Sequence, residues 1–247
     1  MIIGIIPARY GSTRFPGKPL VDLMGKTMIR RVYEQASKSG SLQKVVVATD
    51  DTRILEHVRS FGGEAVMTAG HHPSGTDRCL DALMQQPEEY SHVINIQGDE
   101  PFIDPGQIDL LACILLEDRT ELATLVIPVN DPAPLADHSK VKVVLNTSME
   151  ALYFSRTAIP FLKGIDPQEW HLHHPYFRHV GIYGYRTDIL HKITKLPVSP
   201  LEQAESLEQL RWLENGFGIR CAVTSHDSFC IDNPEDVELV LKQHGIR

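Results

Sequence analysis

The sequence predicts an α/β protein built on a parallel sheet that is covered on both faces. Its first half alternates short, continuously apolar segments with segments in which apolar residues recur at helical spacing. Strands that are apolar on both faces are typical of buried parallel sheets, and the intervening helices provide the crossovers. Ligands of such sheets bind at the carboxyl ends of the strands. Polar residues that follow each strand are therefore the first candidates for function.

The individual elements follow from apolar spacing and from glycine and proline stops. In the first half we expect strands at 2–6, 44–48, 65–67 and 93–97, and helices at 27–39, 52–61, 76–86 and 105–116. Arg9, Asp50 and Asp99 then follow strands at the carboxyl edge.

The middle of the chain is richer in strands. We expect strands at 122–129, 141–145, 151–154 and 179–185, a long surface loop at 164–176, a helix at 201–213, a last strand within 221–231 and a closing helix at 234–242. We interpret residues 1–247 as a single domain, in which a strand-rich region at about 122–195 elaborates the sheet.

Bulk composition excludes several classes of protein. The 247 residues carry a net charge of −8, with 42% apolar and 23% charged residues, which is typical of a soluble globular protein. The acidic balance and the lack of a basic stripe argue against nucleic-acid binding. No apolar run approaches the roughly 20 residues of a membrane span, so no membrane insertion is expected, and Met1–Ile6 is read as a strand rather than a signal peptide. Four scattered cysteines without a C-x-x-C pair are expected to be reduced core thiols of a cytoplasmic protein.

The loop after the first strand has the composition of a polyphosphate site. Arg9, Arg14 and Lys18 lie within ten residues of an otherwise acidic chain, among glycines and prolines. A Walker loop is excluded, because five residues separate Gly11 from Gly17 and a proline stands where the magnesium-binding hydroxyl belongs. The dinucleotide fingerprint G-x-G-x-x-G follows none of the strands. The alternative is a solvated basic turn.

Carboxylates at two places could serve phosphate chemistry. Asp99 follows a buried strand and has the oxygen ligands that Mg²⁺ prefers, although it could equally be a turn residue before Pro101. Asp232 precedes Asn233-Pro234, which by itself indicates a helix cap.

Residues 8–20, ARYGSTRFPGKPL, resemble the signature loop of the cytidylyltransferases that activate 3-deoxy-manno-octulosonate (Kdo). Further matches follow in the order of that family: SGTDR (74–78), QGDEP (97–101), YFSR (153–156), RHVGIYGYR (178–186), LEQLR (207–211) and IDNPED (231–236). The resemblance implies a three-layer Rossmann-like nucleotide-diphospho-sugar transferase fold with a mostly parallel central sheet. It also implies transfer of CMP from CTP to the anomeric hydroxyl of Kdo, with release of pyrophosphate, for lipopolysaccharide biosynthesis.

The resemblance also assigns roles to individual residues. Lys18, Asp99 and Asp232 are implied as catalytic, with the two aspartates holding Mg²⁺ and Asp232 placed at the mouth of the last strand. The implied CTP-binding residues are Arg9, Ser12, Arg14, Lys18, Ser74, Gly75 and Arg78. The implied sugar-binding residues are Gln97, Arg156, His179, Tyr185, Glu208 and Gln209. A homodimer is implied, formed in part by the strand-rich region, with CTP and a Kdo-type sugar acid as ligands.

Simpler interpretations remain open for several of these residues. Ser74 or Thr76 could merely cap a helix, and Glu208 with Gln209 could form a solvated helix face. An earlier pair in the same predicted helix, Glu202-Gln203, is an alternative to Glu208-Gln209, but the Leu207–Arg211 frame fits the family motif better. Three nearby histidines suggest zinc, but their spacing gives no helical ligand pair and no cysteine accompanies them; they are His171, His173 and His174. Alternative functions are the same reaction on 8-amino-8-deoxy-Kdo or a sialic-acid-like sugar, or a silent nucleotide-binding protein. A pure binding protein would need no metal-bridging pair, so the two aspartates favour an enzyme.

Overall fold

A computed structural model of the chain describes residues 1–11, 14–227 and 229–243. The strands are β1 (Ile2–Ala8), β2 (Lys44–Thr49), β3 (Ala65–Met67), β4 (His92–Asn95), β5 (Leu122–Pro128), β6 (Lys142–Leu145), β7 (Ala151–Ser155), β8 (Phe177–Arg186) and β9 (Ile219–Val223). The helices are α1 (Met28–Ala36), α2 (Thr52–Ser60), α3 (Gly75–Met84), α4 (Pro105–Leu115), α5 (Ala133–Ala136), α6 (Trp170–His173), α7 (Thr187–Ile193), α8 (Pro200–Glu205), α9 (Gln209–Glu214) and α10 (Pro234–Gln243). Single 3₁₀ turns occur at Lys18–Leu20 and Pro167–Glu169.

Residue contacts divide the chain into two compact units. The first contains residues 1–112 together with the described residues after 228, and the second contains residues 113–227. The predicted strand-rich region at about 122–195 lies within the second unit. Our interpretation of the chain as one domain stays a prediction.

The first unit contains a parallel sheet in the order β3-β2-β1-β4. Neighbouring residues of β1 point to opposite faces, yet Ile2, Ile3, Ile5 and Ile6 are all buried. Both faces of this sheet are therefore covered, as the continuous apolar runs predicted. Because the strands are parallel, the loops that follow β1, β2 and β4 emerge at the same edge.

A small apolar cluster fixes α10 to the segment that follows β1. Leu23, Met28, Ile231 and Val240 are fully buried in it, and Phe15 packs against them. Full burial of one large apolar side chain stabilises the folded protein by about 1.5–3 kcal/mol. The cluster anchors both α10 and the segment that leads into it.

The second unit is organised around β5. This strand is antiparallel to β8 and parallel to β9, and β6 is antiparallel to both β7 and β8. The predicted strands of this region are all present, each displaced by no more than two residues. Helix α7 follows β8 directly and was not predicted.

Two predicted elements of the second unit are wrong in detail. The expected surface loop at 164–176 contains two short helical turns, and Trp170 and Tyr176 are buried with Val129 and Leu135. Large aromatic side chains favour burial, but the prolines and histidines of this segment led to the prediction of a surface loop. The expected helix at 201–213 is two helices, because Ser206 has a φ of 52° in the left-handed region.

Two further expectations need correction. Strand β9 ends at Val223, so Asp232 lies not at a strand mouth but immediately before α10. Cys79 and Cys221 are buried as expected, whereas Cys113 and Cys230 are exposed and are not core residues. Among the described residues, none of the helices is both long and apolar enough to cross a bilayer.

Candidate active site

Glycine shapes the loop that carries the cations of the first unit. Gly17 has a φ of +74°, and an added Cβ there would lie 3.2 Å from the ring of Tyr10. Its N–H donates to the Tyr10 carbonyl at 2.9 Å, which closes the loop. The 3₁₀ turn of Lys18 begins directly after this glycine. A larger residue at position 17 would be strained, because only glycine adopts this conformation at little cost.

The ammonium group of Lys18 joins two carboxylates that are far apart in sequence. Its Nζ lies 2.8 Å from Asp99 Oδ2 and 3.5 Å from Asp232 Oδ1. Arg14 adds a second cation, with one guanidinium nitrogen 3.1 Å from Asp232 Oδ1. The structure thus brings Arg14, Lys18, Asp99 and Asp232 together at the carboxyl edge of the sheet.

Backbone contacts hold the two aspartates in this arrangement. The N–H of Ile231 donates to the Asp99 carbonyl at 3.0 Å, which ties the segment before α10 to the loop after β4. The carboxylate of Asp236 accepts from the backbone N–H groups of Asp232 and Asn233, at 2.9 and 2.8 Å. Asp236 therefore satisfies the backbone donors at the start of α10, and the Asp232 carboxylate faces Lys18 and Arg14 instead.

The donor set of this cluster suits a hard divalent cation bound together with a phosphate ligand. Two carboxylates contact one ammonium group, so the position between them favours positive charge. Among the described residues, no group of three or more histidines, cysteines or acids could enclose a metal ion by itself. Mg²⁺ is commonly held by one or two carboxylates with the remaining positions filled by substrate phosphates and water. Asp99 and Asp232 fit that type of site.

Arg9 is anchored by a short chain of polar contacts. Its guanidinium donates to the His72 carbonyl, and the His72 ring lies 2.6 Å from the carboxylate of Asp81 on α3. Asp81 also accepts from the Ala69 N–H at 2.9 Å and from Gln85. Burial of the Asp81 carboxylate opposes its ionisation, but the hydrogen bond with His72 and those from Ala69 and Gln85 outweigh burial and lower the pKa of Asp81. Asp81 and His72 hold the 69–72 segment in place, and neither was singled out from the sequence.

The start of α3 carries three of the predicted CTP-binding residues. Ser74 caps the helix, its Oγ accepting from the Asp77 N–H at 3.2 Å, which is the simpler role left open above. A Cβ on Gly75 would lie 3.6 Å from Pro7 and 3.7 Å from Asn95, an ordinary contact distance. Packing within the protein therefore does not require glycine at position 75.

Arg78 is fully buried and paired within the protein. Its guanidinium contacts Asp50 Oδ2 at 2.9 Å and Thr68 Oγ1 at 2.5 Å. Asp50, which follows β2, is thereby fixed. A direct contact of Arg78 with CTP stays a prediction. Ser12, the remaining predicted CTP ligand, lies outside the described residues.

Five of the six predicted sugar-binding residues belong to the second unit. Arg156 follows β7, and its guanidinium donates to the carbonyls of Glu205, His138 and Ser206 at 2.7, 3.3 and 3.2 Å. The Glu205 carboxylate accepts from the Arg156 N–H at 2.9 Å. Arg156 is therefore held in one orientation by surrounding backbone.

His179 and Tyr185 lie in an aromatic cluster on β8. Tyr185 is fully buried, and its ring lies 6.2 Å from Tyr183 and 5.7 Å from Trp212. His179 Nε2 lies 2.9 Å from Thr124 Oγ1. Burial, with the nearby charge of Arg178, lowers the pKa of His179 to about 3, so its ring is neutral at physiological pH.

Glu208 and Gln209 lie at the start of α9 rather than on a solvated helix face. Gln209 is 5% exposed and Glu208 is partly buried. The alternative pair is engaged elsewhere, because Glu202 caps α8 with Ser199 and accepts from Arg211 Nε at 2.7 Å. The Leu207–Arg211 frame is therefore the better candidate.

The sixth sugar-binding candidate, Gln97, is in the first unit, in the turn between β4 and Asp99. The Gln97 carbonyl accepts from the Glu100 N–H at 3.4 Å. Glu100 is 2% exposed, and its Oε1 accepts from the Cys230 thiol at 3.4 Å. Glu100 thus contributes to the support of the Asp99 loop.

Comparison with known proteins assigns the family. A model of the cytidylyltransferase family matches residues 3–224. A 3-deoxy-manno-octulosonate cytidylyltransferase of Parabacteroides distasonis is 51% identical over 243 residues, with 97% of this chain and 96% of the relative covered. The protein of the same name from Cytophaga hutchinsonii is 52% identical over 237 residues, with 96% and 94% covered.

A solved structure confirms the fold class. CMP:2-keto-3-deoxy-manno-octonic acid synthetase complexed with CTP is similar, with a TM-score of 0.92, 42% identity, and coverage of 99% of this chain and 98% of that chain. The predicted α/β fold with a mostly parallel central sheet is therefore correct. The shared sequence over nearly the full length shows that this chain belongs to the cytidylyltransferase family, among the 3-deoxy-manno-octulosonate cytidylyltransferases.

Proposed function

We propose that the protein transfers CMP from CTP to the anomeric hydroxyl of Kdo and releases pyrophosphate. The names of its relatives and the CTP complex of its structural neighbour support this reaction. The observation in the chain itself that carries the proposal is the convergence of Asp99 and Asp232 on the ammonium group of Lys18. Such a cluster suits the transfer of a highly charged phosphoryl group.

The cations of the first unit provide the electrostatic part of the mechanism. As the sugar oxygen attacks the α-phosphorus, negative charge accumulates on the departing pyrophosphate. Arg9, Arg14 and Lys18 lie on the loop after β1, where they can neutralise that charge. Preorganised donors of this kind are worth about 3 kcal/mol each in the transition state. Lys18 contributes most, because it is the most buried cation of the cluster, 14% exposed against 62% for Arg14.

Mg²⁺ is the cofactor that we propose, held by Asp99 and Asp232. When bound it would lower the pKa of the attacking hydroxyl and neutralise phosphate charge. The backbone contact of Ile231 and the Asp236 cap hold the two carboxylates close together. His179, which is neutral, supplies a hydrogen-bonding group for the sugar. A cationic side chain is expected to bind the carboxylate of Kdo, and Arg156 is the candidate for this contact.

The reaction is tested by pyrophosphate release with each component omitted in turn. We expect release only when CTP, Kdo and Mg²⁺ are all present, and CMP-Kdo as the second product. A panel of Kdo, 8-amino-8-deoxy-Kdo and a sialic acid then fixes the substrate. CTP binding without turnover on any of these sugars would favour a silent nucleotide-binding protein and overturn the proposal.

We also propose a homodimer formed through the second unit. Phe161 and Leu172 are 73% and 72% exposed, and Phe161 contacts the ring of buried Trp170 at 5.3 Å. Large apolar side chains beside a buried aromatic cluster are suited to contact a second copy. Light scattering should give the mass of a dimer, and Phe161→Ser with Leu172→Ser should weaken it. The matched control is Leu239→Ser on α10, which removes a 53% exposed leucine from the first unit. A monomeric native protein would exclude this interface.

The state of the four cysteines is informative about the cellular compartment in which the enzyme works. Cys79, Cys113, Cys221 and Cys230 are all free thiols. Free thiols suit a reducing environment, which supports our proposal that the enzyme works in the cytoplasm and supplies CMP-Kdo to lipopolysaccharide assembly. Fractionation of cells followed by the pyrophosphate assay tests this, and activity outside the cytoplasmic fraction would contradict it.

A further inference from the structure

Lys142, the first residue of β6, is a buried cation with an unusual set of partners. It is 1% exposed. Its ammonium group donates to three backbone carbonyls, those of Asp137, Lys140 and Arg156, at 2.9, 2.7 and 2.5 Å. A charge is costly to bury unless its hydrogen bonds are satisfied. An ammonium group has three donors, and here all three are used on backbone.

Two of these carbonyls belong to the segment before β6. Residues 137–140 are therefore anchored to Lys142 at both ends, and the carbonyl of His138, between them, accepts from Arg156. Lys142 lies opposite Ser155 in the register of β6 and β7, so its side chain starts next to the residue that precedes Arg156. One lysine thus joins the 137–140 segment to the end of β7.

Arg156 is fixed through its other groups as well. Its backbone N–H donates to the Glu205 carboxylate, which also accepts from Ser155 Oγ at 2.7 Å. Three of the five guanidinium donors are directed at the carbonyls of Glu205, His138 and Ser206. Among the residues that the structure describes, these three carbonyls are the acceptors of the guanidinium, which leaves one N–H on each terminal nitrogen for a ligand. Two such donors match a carboxylate.

We propose that Lys142 is a positioning residue that sets the orientation in which Arg156 meets the carboxylate of the sugar acid. The inference rests on the proposed function and on the sugar-binding role of Arg156. Lys142 holds the Arg156 carbonyl directly, and through the 137–140 segment it holds the His138 carbonyl that the guanidinium contacts. A neutral side chain could not supply three donors from one atom. Lys142 was not predicted as a functional residue from the sequence, although a lysine within the apolar run 141–145 was a signal.

Steady-state kinetics with each substrate varied in turn test the proposal. Lys142→Met keeps an unbranched side chain that is one atom shorter and removes the donors. We expect its KM for Kdo to rise roughly tenfold or more, since small misplacements of a binding group are costly, while its KM for CTP stays within about twofold. Lys142→Gln retains two N–H donors and should therefore fold even if Lys142→Met does not. Its KM for Kdo should lie between the values of the native protein and of Lys142→Met.

The matched control is Lys140→Met. Lys140 is exposed and contributes only its backbone carbonyl to the network, so both KM values should remain native. A Lys142 variant in which the KM values for CTP and Kdo rise together, alongside a lower melting temperature, would indicate general structural support and overturn the proposal.

A double-mutant cycle distinguishes this inference from the proposed function. If Lys142 acts through Arg156, Lys142→Met should have little further effect on kcat/KM for Kdo in an Arg156→Met background. Fully additive effects, or a native KM for Kdo in Arg156→Met, would overturn the positioning role while leaving the reaction in place. Absence of turnover by the native protein on every sugar would instead overturn the proposed function.

Discussion

Replacement of Asp99 by asparagine should separate the chemistry of the active site from the stability of the protein. The carboxylate lies 2.8 Å from the Lys18 ammonium group, and the two side chains are 24% and 14% exposed. A partly exposed ion pair contributes about 1 kcal/mol to the free energy of unfolding. Asparagine keeps the shape of the side chain, and Lys18 keeps Asp232 as a partner. We therefore expect the melting temperature to fall by only about 2–4 °C.

Turnover should fall far more than stability. The amide carries no charge and is a poor ligand for a hard divalent cation. We expect kcat for pyrophosphate release to decrease by about 100-fold or more, equivalent to about 2.7 kcal/mol in the activation free energy. Thermal unfolding by circular dichroism and the pyrophosphate assay should be run on the same preparation.

Glu34→Gln is the matched control for this substitution. Glu34 is 33% exposed on α1 and accepts from Lys26 at 2.6 Å and from Arg30 at 2.8 Å. It should show a similar small loss of stability with native turnover. A kcat for Asp99→Asn above about a tenth of the native value, or a loss of activity that is due only to unfolding of the protein, would contradict the proposed role of Asp99.

Gly75→Ala should leave stability unchanged or improve it by up to about 1 kcal/mol, yet it should raise the KM for CTP. Gly98→Ala should instead destabilise the fold, because its Cβ would lie 2.6 Å from the Pro7 carbonyl oxygen. Thermal melts and CTP titrations of both variants test these two expectations. Lys18→Ala should lower kcat by about 100-fold while changing CTP affinity much less, and equal losses in calorimetric CTP binding and in kcat would contradict its assignment to the leaving group. The pKa of His179 is lowered from 6.5 to about 3 on folding, so the unfolded state takes up a proton first and stability is lost as pH falls below 6.5. The loss should reach about 2 kcal/mol by pH 5, and urea unfolding at several pH values should detect it. The same dependence of the free energy of unfolding on pH in His179→Gln would contradict this prediction.

Periodicity predicted the first unit well because its helices and strands have single, strong patterns. The four strands of the parallel sheet are apolar on both faces, and β3 was predicted with its observed bounds at 65–67. Prediction failed where tertiary contacts override local pattern. Nothing local marks Ser206 as left-handed, and the burial of Trp170 and Tyr176 depends on partners more than 30 residues away in the chain, such as Val129 and Leu135.

The candidate site was predictable in its residue types but not in its supports. The cations of the loop, and Asp99 at a strand end, follow from charge and position, whereas Asp232 needed the family resemblance because its local sequence indicates a cap. The residue that satisfies the backbone there is Asp236. Polar supports such as Asp81 and Lys142 are identified by distances across the fold, which no spacing within the sequence supplies.

The charges around Lys18 explain why nucleotide and divalent cation should bind together. In the free protein the carboxylates of Asp99 and Asp232 are balanced by the ammonium group of Lys18 and the guanidinium of Arg14. CTP brings several more negative charges, and two cations cannot balance both the carboxylates and the phosphates. If Lys18 and Arg14 turn to the phosphates, two uncompensated carboxylates remain beside the nucleotide and repel it. A divalent cation held by Asp99 and Asp232 would supply the positive charge that removes that repulsion. The affinity for CTP should therefore depend strongly on Mg²⁺ in the native protein and much less in the double variant Asp99→Asn with Asp232→Asn, and calorimetry at matched ionic strength would detect the difference.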